Sequence, residues 1–147
     1  MRKHSEKNVF KAEFPAKSVN ERFARSIVAS FAAQADPSVG VIADVKTAVS
    51  EAVTNCIVHA YRESKDRAKC TVYIYCSLDS KRRLTVKIRD KGVGIEDVQK
   101  AMQPLYTTDP DGERSGMGFA VMQNLCDRVK VSSRPGKGTT VTLIRAI

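Results

Sequence analysis

The chain has 147 residues, of which 42% are hydrophobic and 28% are charged, and its formal net charge is +9. This length and apolar content suit one domain with its own core, and they argue against a disordered chain. The longest apolar runs are too short to span a bilayer, and the first residues are polar and basic, unlike a secretory signal. We therefore expect a single cytoplasmic domain over residues 1–147, with no membrane partner.

The cysteines and the basic residues give no sign of a metal or nucleic-acid site. No two of the four cysteines have C-x-x-C spacing, so we expect reduced, buried thiols rather than a zinc site. The basic residues are scattered along the chain, and no aromatic residues alternate with them as in a base-stacking platform. We expect no direct nucleic-acid partner, although steep salt-dependent DNA binding would support that alternative.

The first part of the chain predicts an edge strand followed by a helix. Apolar and polar residues alternate over 8–15, and the strand is expected to end at Pro15. Ser18 followed by Glu21 has the pattern of a capping box, which predicts a helix that reaches about Ala35. The core face of this helix is expected to hold the apolar residues that recur every four positions: Phe23, Ile27, Phe31 and Ala35.

A second helix is predicted over 41–61, with two stripes side by side. The apolar stripe consists of Val45, Ala48, Val49, Ala52, Cys56 and Ala60. The polar stripe consists of Thr47, Glu51, Asn55 and His59, spaced every four residues. A polar stripe this regular, bordered by apolar residues, is where we expect the chemistry to begin.

The second part of the chain predicts strands, short helices and a lid. The stretch 103–115 has two prolines, a glycine and no periodicity, so it is interpreted as a mobile lid. The predicted strands are 69–78, 83–90, 128–133 and 139–146, and the predicted helices are 96–102 and 117–126. We expect one α/β domain, with helices on one face of a mixed or antiparallel sheet.

Glu51 and Asn55 form the first candidate motif. They lie one turn apart on the predicted second helix and therefore project together. An amide oxygen is a suitable ligand for Mg²⁺, and a carboxylate one turn away can deprotonate an attacking hydroxyl. The alternative is a helix that carries two solvated polar residues.

Asp90, Gly92 and Gly94 form the second candidate motif. The glycines allow tight turns and a close backbone approach to a ligand. Asp90 ends the buried alternation of its strand and therefore points inward, where a carboxylate needs partners. As an ionised acceptor it could take a hydrogen bond from the exocyclic amine of adenine. A simple turn at the end of a strand is the alternative.

Two further features fit a ligand that contains adenine and phosphate. Ser115-Gly116-Met117-Gly118 stands directly before a predicted helix, where free backbone N–H groups can bind phosphate. Thr139 opens the last strand on its core side, so its hydroxyl could reach the same base as Asp90. An ordinary β-branched strand residue is the alternative for Thr139.

The order of these motifs resembles that of the GHKL (Bergerat-fold) ATPases. The chain has E-x-x-x-N, then D-x-G-x-G, a lid, G-x-G and a final threonine. The resemblance implies a two-layer α/β sandwich with ATP bound beneath the lid. The segments EAVTNCIVHAY, RDKGVGIEDV, QPLYTTDPDGERSGMGFAVM and GTTV are similar to the sporulation anti-sigma F factor (SpoIIAB) branch, and the similarity extends from about Phe14 to the end of the chain.

The resemblance implies roles for individual residues. Asn55 would hold Mg²⁺, Glu51 would be the base for an incoming serine, and Asp90 would contact adenine. The remaining nucleotide contacts, for ATP or ADP, would come from Gly92, Gly94, Thr107, Thr108, Arg114, Ser115, Gly116, Met117, Gly118 and Thr139. Glu21 and Arg25 match positions that face a sigma factor. The family is dimeric, inhibits sigma F and phosphorylates an anti-anti-sigma protein on serine.

Two other functions remain as alternatives. A nucleotide-gated module could bind the sigma factor and transfer nothing, although none of the motifs is broken. A detached histidine kinase domain is the other, but the only histidines are His4 and His59, and the chain is too short for a helical hairpin that carries a phospho-accepting histidine.

Overall fold

The computed structural model of the chain describes residues 6–103 and 118–147. Within these ranges the elements are β1 (Asn8–Pro15), α1 (Val19–Ala32), α2 (Val39–Asn55), β2 (Thr71–Leu78), β3 (Arg83–Arg89), α3 (Val98–Ala101), α4 (Gly118–Leu125), β4 (Arg128–Arg134) and β5 (Gly138–Ala146). Short 3₁₀ turns cover Ala33–Ala35 and Arg67–Lys69, and a π-helical turn covers Cys56–Ala60. In this part of the chain, no helix is long and apolar enough to cross a membrane.

The strands form one five-stranded sheet in the order β1-β2-β3-β5-β4. All neighbouring strands are antiparallel, so of the two arrangements that the sequence allowed, the antiparallel one is formed. β1 lies at an edge, as predicted. The end of β3 lies beside the start of β5, with Arg89 opposite Thr140. This pairing brings Asp90 next to Thr139, although 49 positions separate them in the chain.

The helices cover one face of the sheet, and the core lies between the two layers. The inward strand residues are buried as predicted, and they include Val72, Ile74, Cys76, Leu84, Val86, Ile88, Val141 and Leu143. α1 and α4 both pack against α2, which in turn contacts β3 and β5. Each fully buried aliphatic side chain of this kind stabilises the fold by roughly 1.5–3 kcal/mol. The predicted two-layer α/β sandwich is therefore confirmed.

The predicted core face of α1 is wrong in part. The buried residues of this helix are Ala24, Val28, Phe31 and Ala32. Phe23 is 50% exposed and makes an edge-to-face contact with Phe14 of β1, with 5.8 Å between ring centroids. The small alanines allow α1 to pack closely on α2, which leaves the larger Phe23 at the margin. Both stripes repeat at helical spacing, so periodicity alone could not choose between them.

The predicted capping box is also wrong. Ser18 has helical backbone angles (φ −54°, ψ −36°), and its side chain makes no capping hydrogen bond. A capping side chain needs a residue with extended backbone angles at this position. Glu21 instead forms an ion pair with Arg25 one turn later, with 3.4 Å between Oε1 and Nη1.

α2 is capped at its start and changes its winding at its end. The Ser38 hydroxyl accepts a hydrogen bond from the Val41 amide at 3.2 Å. The α-helix predicted to continue to Tyr61 ends at Asn55 and continues as the π-helical turn Cys56–Ala60. Such turns are rare and occur frequently at functional sites. The apolar stripe of this helix is buried as predicted, since a single wider turn changes the periodicity very little.

The outer face of the sheet is open and basic. Arg89 and Lys91 lie over the ring of Tyr73, at 4.7 and 5.0 Å from its centroid, and Lys87 lies 5.5 Å from that of Tyr75. Tyr73, Tyr75, Lys87 and Arg89 line a groove of about 580 Å³. Aromatic and basic residues do not alternate along the sequence, but cross-strand pairing brings them together. That argument against a nucleic-acid partner therefore does not apply to the folded chain.

Candidate functional site

Asp90 follows β3 and is the only charged residue among those described that is classed as buried, at 6% exposure. Its Oδ1 accepts hydrogen bonds from the Gly92 amide at 3.0 Å and the Thr139 amide at 3.2 Å. Its Oδ2 accepts one from the Cys56 thiol, with 3.6 Å between S and O. Burial raises the pKa of Asp90, and these uncharged donors lower it by less. An acceptor that is so unfavourable to bury fits a ligand that donates a hydrogen bond.

The Cys56 thiol is held close to this carboxylate. Burial, followed by the negative charge of Asp90, raises the pKa of Cys56 well above its ordinary value. The thiol therefore stays protonated and can act as a donor. All four cysteines are free, as predicted, although Cys126 is only half-buried.

The loop that follows Asp90 is attached to the end of α2. The Tyr61 hydroxyl accepts a hydrogen bond from the Lys91 amide at 2.8 Å and donates one to the Thr71 carbonyl at 2.6 Å. The Val93 amide donates to the Ala60 carbonyl at 2.8 Å. The π-helical turn places both Ala60 and Tyr61 where they meet this loop. Its conformation therefore depends on a helix far away in the sequence.

Gly92 and Gly94 are required by close contacts with the protein itself. A Cβ atom at Gly92 would overlap the Ala60 carbonyl group, and one at Gly94 would overlap the Arg134 carbonyl group. Gly94 also has a φ of +75°, a region that favours glycine. The close backbone approach predicted for these glycines is present. It is made to neighbouring backbone, and it fixes the loop around Asp90.

Thr139 lies beside Asp90 and is buried, as its place in the strand predicted. Its amide donates to Asp90 Oδ1, and its carbonyl accepts from the Asp90 amide at 2.9 Å. Its hydroxyl lies 2.7 Å from the hydroxyl of Ser133 on β4. Asp90 and Thr139 therefore form one connected polar group at the ends of β3 and β5.

Glu51, Asn55 and Gly118 form a second group. A Cβ atom at Gly118, the first residue of α4, would lie 3.1 Å from Glu51 Oε2 and 3.5 Å from Asn55 Oδ1. The absence of a side chain thus lets the start of α4 approach the carboxylate and the amide. The sequence predicts that this helix begins close to Gly118, and a helix N-terminus carries partial positive charge and free N–H groups, which favour an anion.

The two groups meet where α2 ends and the π-helical turn begins. Asn55 belongs to the group at the start of α4, and Cys56, the next residue, contacts Asp90. The fold thus brings together Glu51, Asn55, Asp90, Gly92, Gly94, Gly118 and Thr139. Glu21 and Arg25 lie apart from them on α1. The predicted residues Thr107, Thr108, Arg114, Ser115, Gly116 and Met117 lie outside the described ranges, as does the predicted lid except Gln103.

Cys56, Tyr61 and Ser133 were missed by the sequence analysis as residues of the site. Cys56 was assigned to the apolar stripe, Tyr61 was only the last residue of the quoted segment EAVTNCIVHAY with no role of its own, and Ser133 belongs to no motif. A signal was available for Cys56, since it follows Asn55 directly. For Tyr61 and Ser133 only the tertiary contacts identify the role.

Comparison with known proteins gives the family. The histidine kinase-like ATPase domain family matches residues 14–145. The chain is 53% identical to a protein named anti-sigma F factor from Caldanaerobacter subterraneus subsp. tengcongensis, over 95% of this chain and 94% of that protein. It is 51% identical to one of the same name from Clostridium acetobutylicum, over 92% of each. The chain belongs to the anti-sigma F factor family.

Solved structures support the fold of this family member. The RsbU and RsbW domains of a Mycobacterium tuberculosis protein match with a TM-score of 0.66 and 18% identity, over 94% of this chain and 32% of that one. The histidine kinase domain of a blue-light activated kinase from Erythrobacter litoralis matches with a TM-score of 0.56 and 22% identity, over 90% of this chain and 61% of that one. These similarities concern the fold alone.

The geometry of the site fits the nucleotide binding that an ATPase family implies. Asp90 supplies a buried acceptor of the kind that suits a base amine. Gly118 leaves space beside Glu51 and Asn55 at a helix start that suits phosphate. A nucleoside triphosphate has both chemistries, a base at one end and anions at the other.

Proposed function

We propose that this chain is an anti-sigma factor that binds and inhibits a sigma F-type factor, and that it phosphorylates an anti-anti-sigma protein on serine with Mg²⁺ and ATP. One observation carries the kinase part of the proposal. The structure brings Gly118, at the start of α4, against Glu51 and Asn55 of α2. A carboxylate, an amide and a helix N-terminus in one place are what phosphoryl transfer needs, since its catalysis depends on positioning and charge.

The proposed mechanism assigns one task to each group. Asp90 accepts a hydrogen bond from the exocyclic amine of the adenine. Asn55 would hold Mg²⁺ through its side-chain oxygen, and the ion would offset the negative charge of the phosphates, since Mg²⁺ usually takes few protein ligands. Glu51 accepts the proton of the incoming serine hydroxyl as its oxygen bonds to the γ-phosphoryl group, and ADP leaves.

Further nucleotide contacts are proposed for residues outside the described ranges. Thr107 and Thr108 would contact the nucleotide from the lid. The phosphate contacts would come from Arg114, Ser115, Gly116 and Met117, directly before the start of α4. ADP would bind the same groups after transfer.

The sigma factor is proposed to bind α1 of a homodimer. The relatives named anti-sigma F factor are about half identical to this chain over nearly its whole length, which supports a shared partner. Glu21 and Arg25 already pair with each other on α1, and their side chains are 24% and 35% exposed. The half-exposed Phe23 lies between them in the sequence and adds apolar surface.

The kinase is tested by phosphate transfer from labelled Mg·ATP to a purified anti-anti-sigma protein. Glu51→Gln keeps the size of the side chain and removes its basicity, so transfer should fall by roughly 10²–10⁴-fold. ATP affinity should stay within about threefold, and the exposed Glu63→Gln is the matched control. Unchanged transfer in Glu51→Gln would exclude it as the base. ATP binding without transfer by the unaltered protein would support a nucleotide-gated binding module.

Sigma capture is tested separately on α1. Arg25→Ala should weaken binding of the sigma factor by about tenfold or more, as expected for an interface arginine. ATP affinity should remain unchanged, because Arg25 lies on α1 and its described partner is Glu21 of the same helix rather than a nucleotide residue. Unchanged capture would remove Arg25 from the interface, and loss of both activities would indicate misfolding.

A further inference from the structure

Ser133 is a half-buried residue of β4 whose hydroxyl meets several polar groups at the base end of the site. It accepts a hydrogen bond from the Ile95 amide at 2.8 Å. It donates to the Gly138 carbonyl at 3.0 Å. It also lies 2.7 Å from the hydroxyl of Thr139, where either oxygen is close enough to be the donor. The direction of this last bond determines what Thr139 offers to a ligand.

The number of protons on the Ser133 hydroxyl settles which residue donates in its hydrogen bond with Thr139. A serine hydroxyl has one proton and two lone pairs. Gly138 can only accept through its carbonyl, so the proton of Ser133 goes there. The Ile95 amide uses one lone pair, and the other is left for the proton of Thr139. If Ser133 instead donated its proton to Thr139, it would lose its hydrogen bond to the Gly138 carbonyl, and fewer hydrogen bonds would form. A half-buried network favours the arrangement in which every group is paired.

Thr139 is consequently an acceptor toward any ligand. Its single proton is used by Ser133, which leaves only lone pairs on its oxygen. Asp90 Oδ2 is likewise an acceptor, occupied only by the weak donor Cys56 among the bonds described. Both polar groups at this end therefore favour a base edge that donates. At position 6 a 6-amino purine donates to these groups, whereas a 6-oxo purine presents an acceptor there and is repelled, and its nearest donor on this edge is the N1–H.

We propose that Ser133 determines base specificity by fixing the proton of the Thr139 hydroxyl, so that the site selects 6-amino over 6-oxo purine nucleotides. This inference rests on the proposed binding of ATP. Ser133 acts through Thr139 and is thus a positioning residue. Removing its hydroxyl frees the Thr139 proton, which can then be donated to a 6-oxo group.

The test compares the affinities of ATP and inosine triphosphate, which carries a carbonyl oxygen in place of the amine. Calorimetric titration of the full chain gives the ratio of the two dissociation constants. For the unaltered protein we expect a preference for ATP of about tenfold or more, the usual effect of one mismatched buried hydrogen bond. Ser133→Ala should reduce this preference by about fivefold or more, mainly through tighter binding of inosine triphosphate.

The controls separate a change in specificity from a loss of structure. Ser132→Ala alters the neighbouring exposed residue and should leave the ratio unchanged. Ser133→Thr keeps a hydroxyl and should retain the preference for ATP. A merely structural role would weaken both nucleotides equally, and an unchanged ratio in Ser133→Ala overturns the inference. If Ser133→Ala does not fold, Thr139→Val removes the same acceptor and should also reduce the ratio; an unchanged ratio there overturns it too.

The same titrations distinguish failure of the inference from failure of the proposed function. If the unaltered protein binds neither nucleotide, the proposed ATP site itself is wrong. If it binds ATP and inosine triphosphate equally well, the site binds nucleotide and the base selectivity inferred from Ser133 is wrong.

Discussion

At the base end of the site, Asp90 accepts hydrogen bonds from its own loop, from the π-helical turn after α2 and from β5. At the start of α4, by contrast, two side chains of α2 face Gly118. After their proposed ligands, we call the region around Asp90 and Thr139 the base end, and the region of Glu51, Asn55 and Gly118 the phosphate end. At the base end, polar side chains are held by hydrogen bonds to backbone amides and carbonyls. The phosphate end is built from the long, rotatable side chain of Glu51 and the shorter amide of Asn55.

In the proposed function, this difference separates recognition of the base from transfer of the phosphoryl group. Backbone groups fixed by several strands and a helix turn cannot move individually, so they suit a base of constant shape. Side chains on a helix can adjust by rotamer changes, which suits a group whose charge and geometry change during transfer. The base end should therefore respond to substitution as part of the fold, and the phosphate end as part of the reaction.

The largest expected effect comes from Gly92→Ala. The new Cβ would overlap the Ala60 carbonyl group, which belongs to backbone and cannot rotate away. We expect the free energy of unfolding to fall by about 3 kcal/mol or more, as for severe overpacking, and ATP affinity to be lost with it. Urea denaturation followed by circular dichroism measures the first effect, and calorimetric titration the second.

Two other glycines provide the contrast. Gly118→Ala places its Cβ 3.1 Å from the end of the Glu51 side chain, which can rotate away, so stability should change by less than about 1 kcal/mol while transfer falls. Gly40→Ala on α2 meets only a Ser38 oxygen at 3.9 Å and should be neutral or stabilising. Equal losses of stability in Gly92→Ala and Gly118→Ala would contradict the distinction between the two ends.

Asp90→Asn separates affinity from stability. An asparagine oxygen can still accept from the Gly92 and Thr139 amides, but its amide group would face the base amine as a second donor. We expect ATP affinity to fall by roughly 10–100-fold, consistent with one mismatched buried hydrogen bond to a charged group. Titration of ATP measures it, and an affinity within twofold of the unaltered protein would remove Asp90 from the base contact.

The same substitution gives a pH dependence of definite sign. Burial raises the pKa of Asp90 in the folded state above its ordinary value of 3.8. The folded protein thus binds this proton more tightly than the unfolded chain does, and stability falls as the pH rises through the window above 3.8. Asparagine does not ionise, so the stability of Asp90→Asn relative to the unaltered protein should be higher at neutral pH than at about pH 4. The opposite trend in urea unfolding would contradict the direction of the pKa shift.

Tyr61→Phe should weaken ATP binding less than Gly92→Ala or Asp90→Asn does. It keeps the ring and leaves the Lys91 amide and the Thr71 carbonyl without their hydroxyl partner. Each such loss typically destabilises by about 1–3 kcal/mol when no water replaces the partner, so we expect a fall in that range and a weakening of ATP binding by a few fold. Tyr75→Phe, on the outer face of the sheet, is the matched control and should stay within about 0.5 kcal/mol. Equal losses of stability in Tyr61→Phe and Tyr75→Phe would show that the Tyr61 hydroxyl has no special role in holding the loop.

Much of the fold and part of the site could be predicted from the sequence. Alternation placed Ile88 and Asp90 on the inner face, because successive strand residues point to opposite sides whatever the strand pairs with. Helical spacing placed Glu51 and Asn55 together for the same local reason. Local geometry did not decide which stripe of α1 is buried, since Phe23 and Ala24 belong to overlapping patterns and only packing against α2 separates them.

The sequence by itself determined the elements, the inward direction of Asp90 and Thr139, and the resemblance that led to the family. The tertiary structure decided the rest. It placed Tyr61 and Ser133 against a loop distant in sequence and set the π-helical turn that allows this. It also gathered Tyr73 and Arg89 on one open face. Periodicity reports which face a residue occupies, whereas the partner it meets there depends on strand order and helix packing, which are properties of the whole chain.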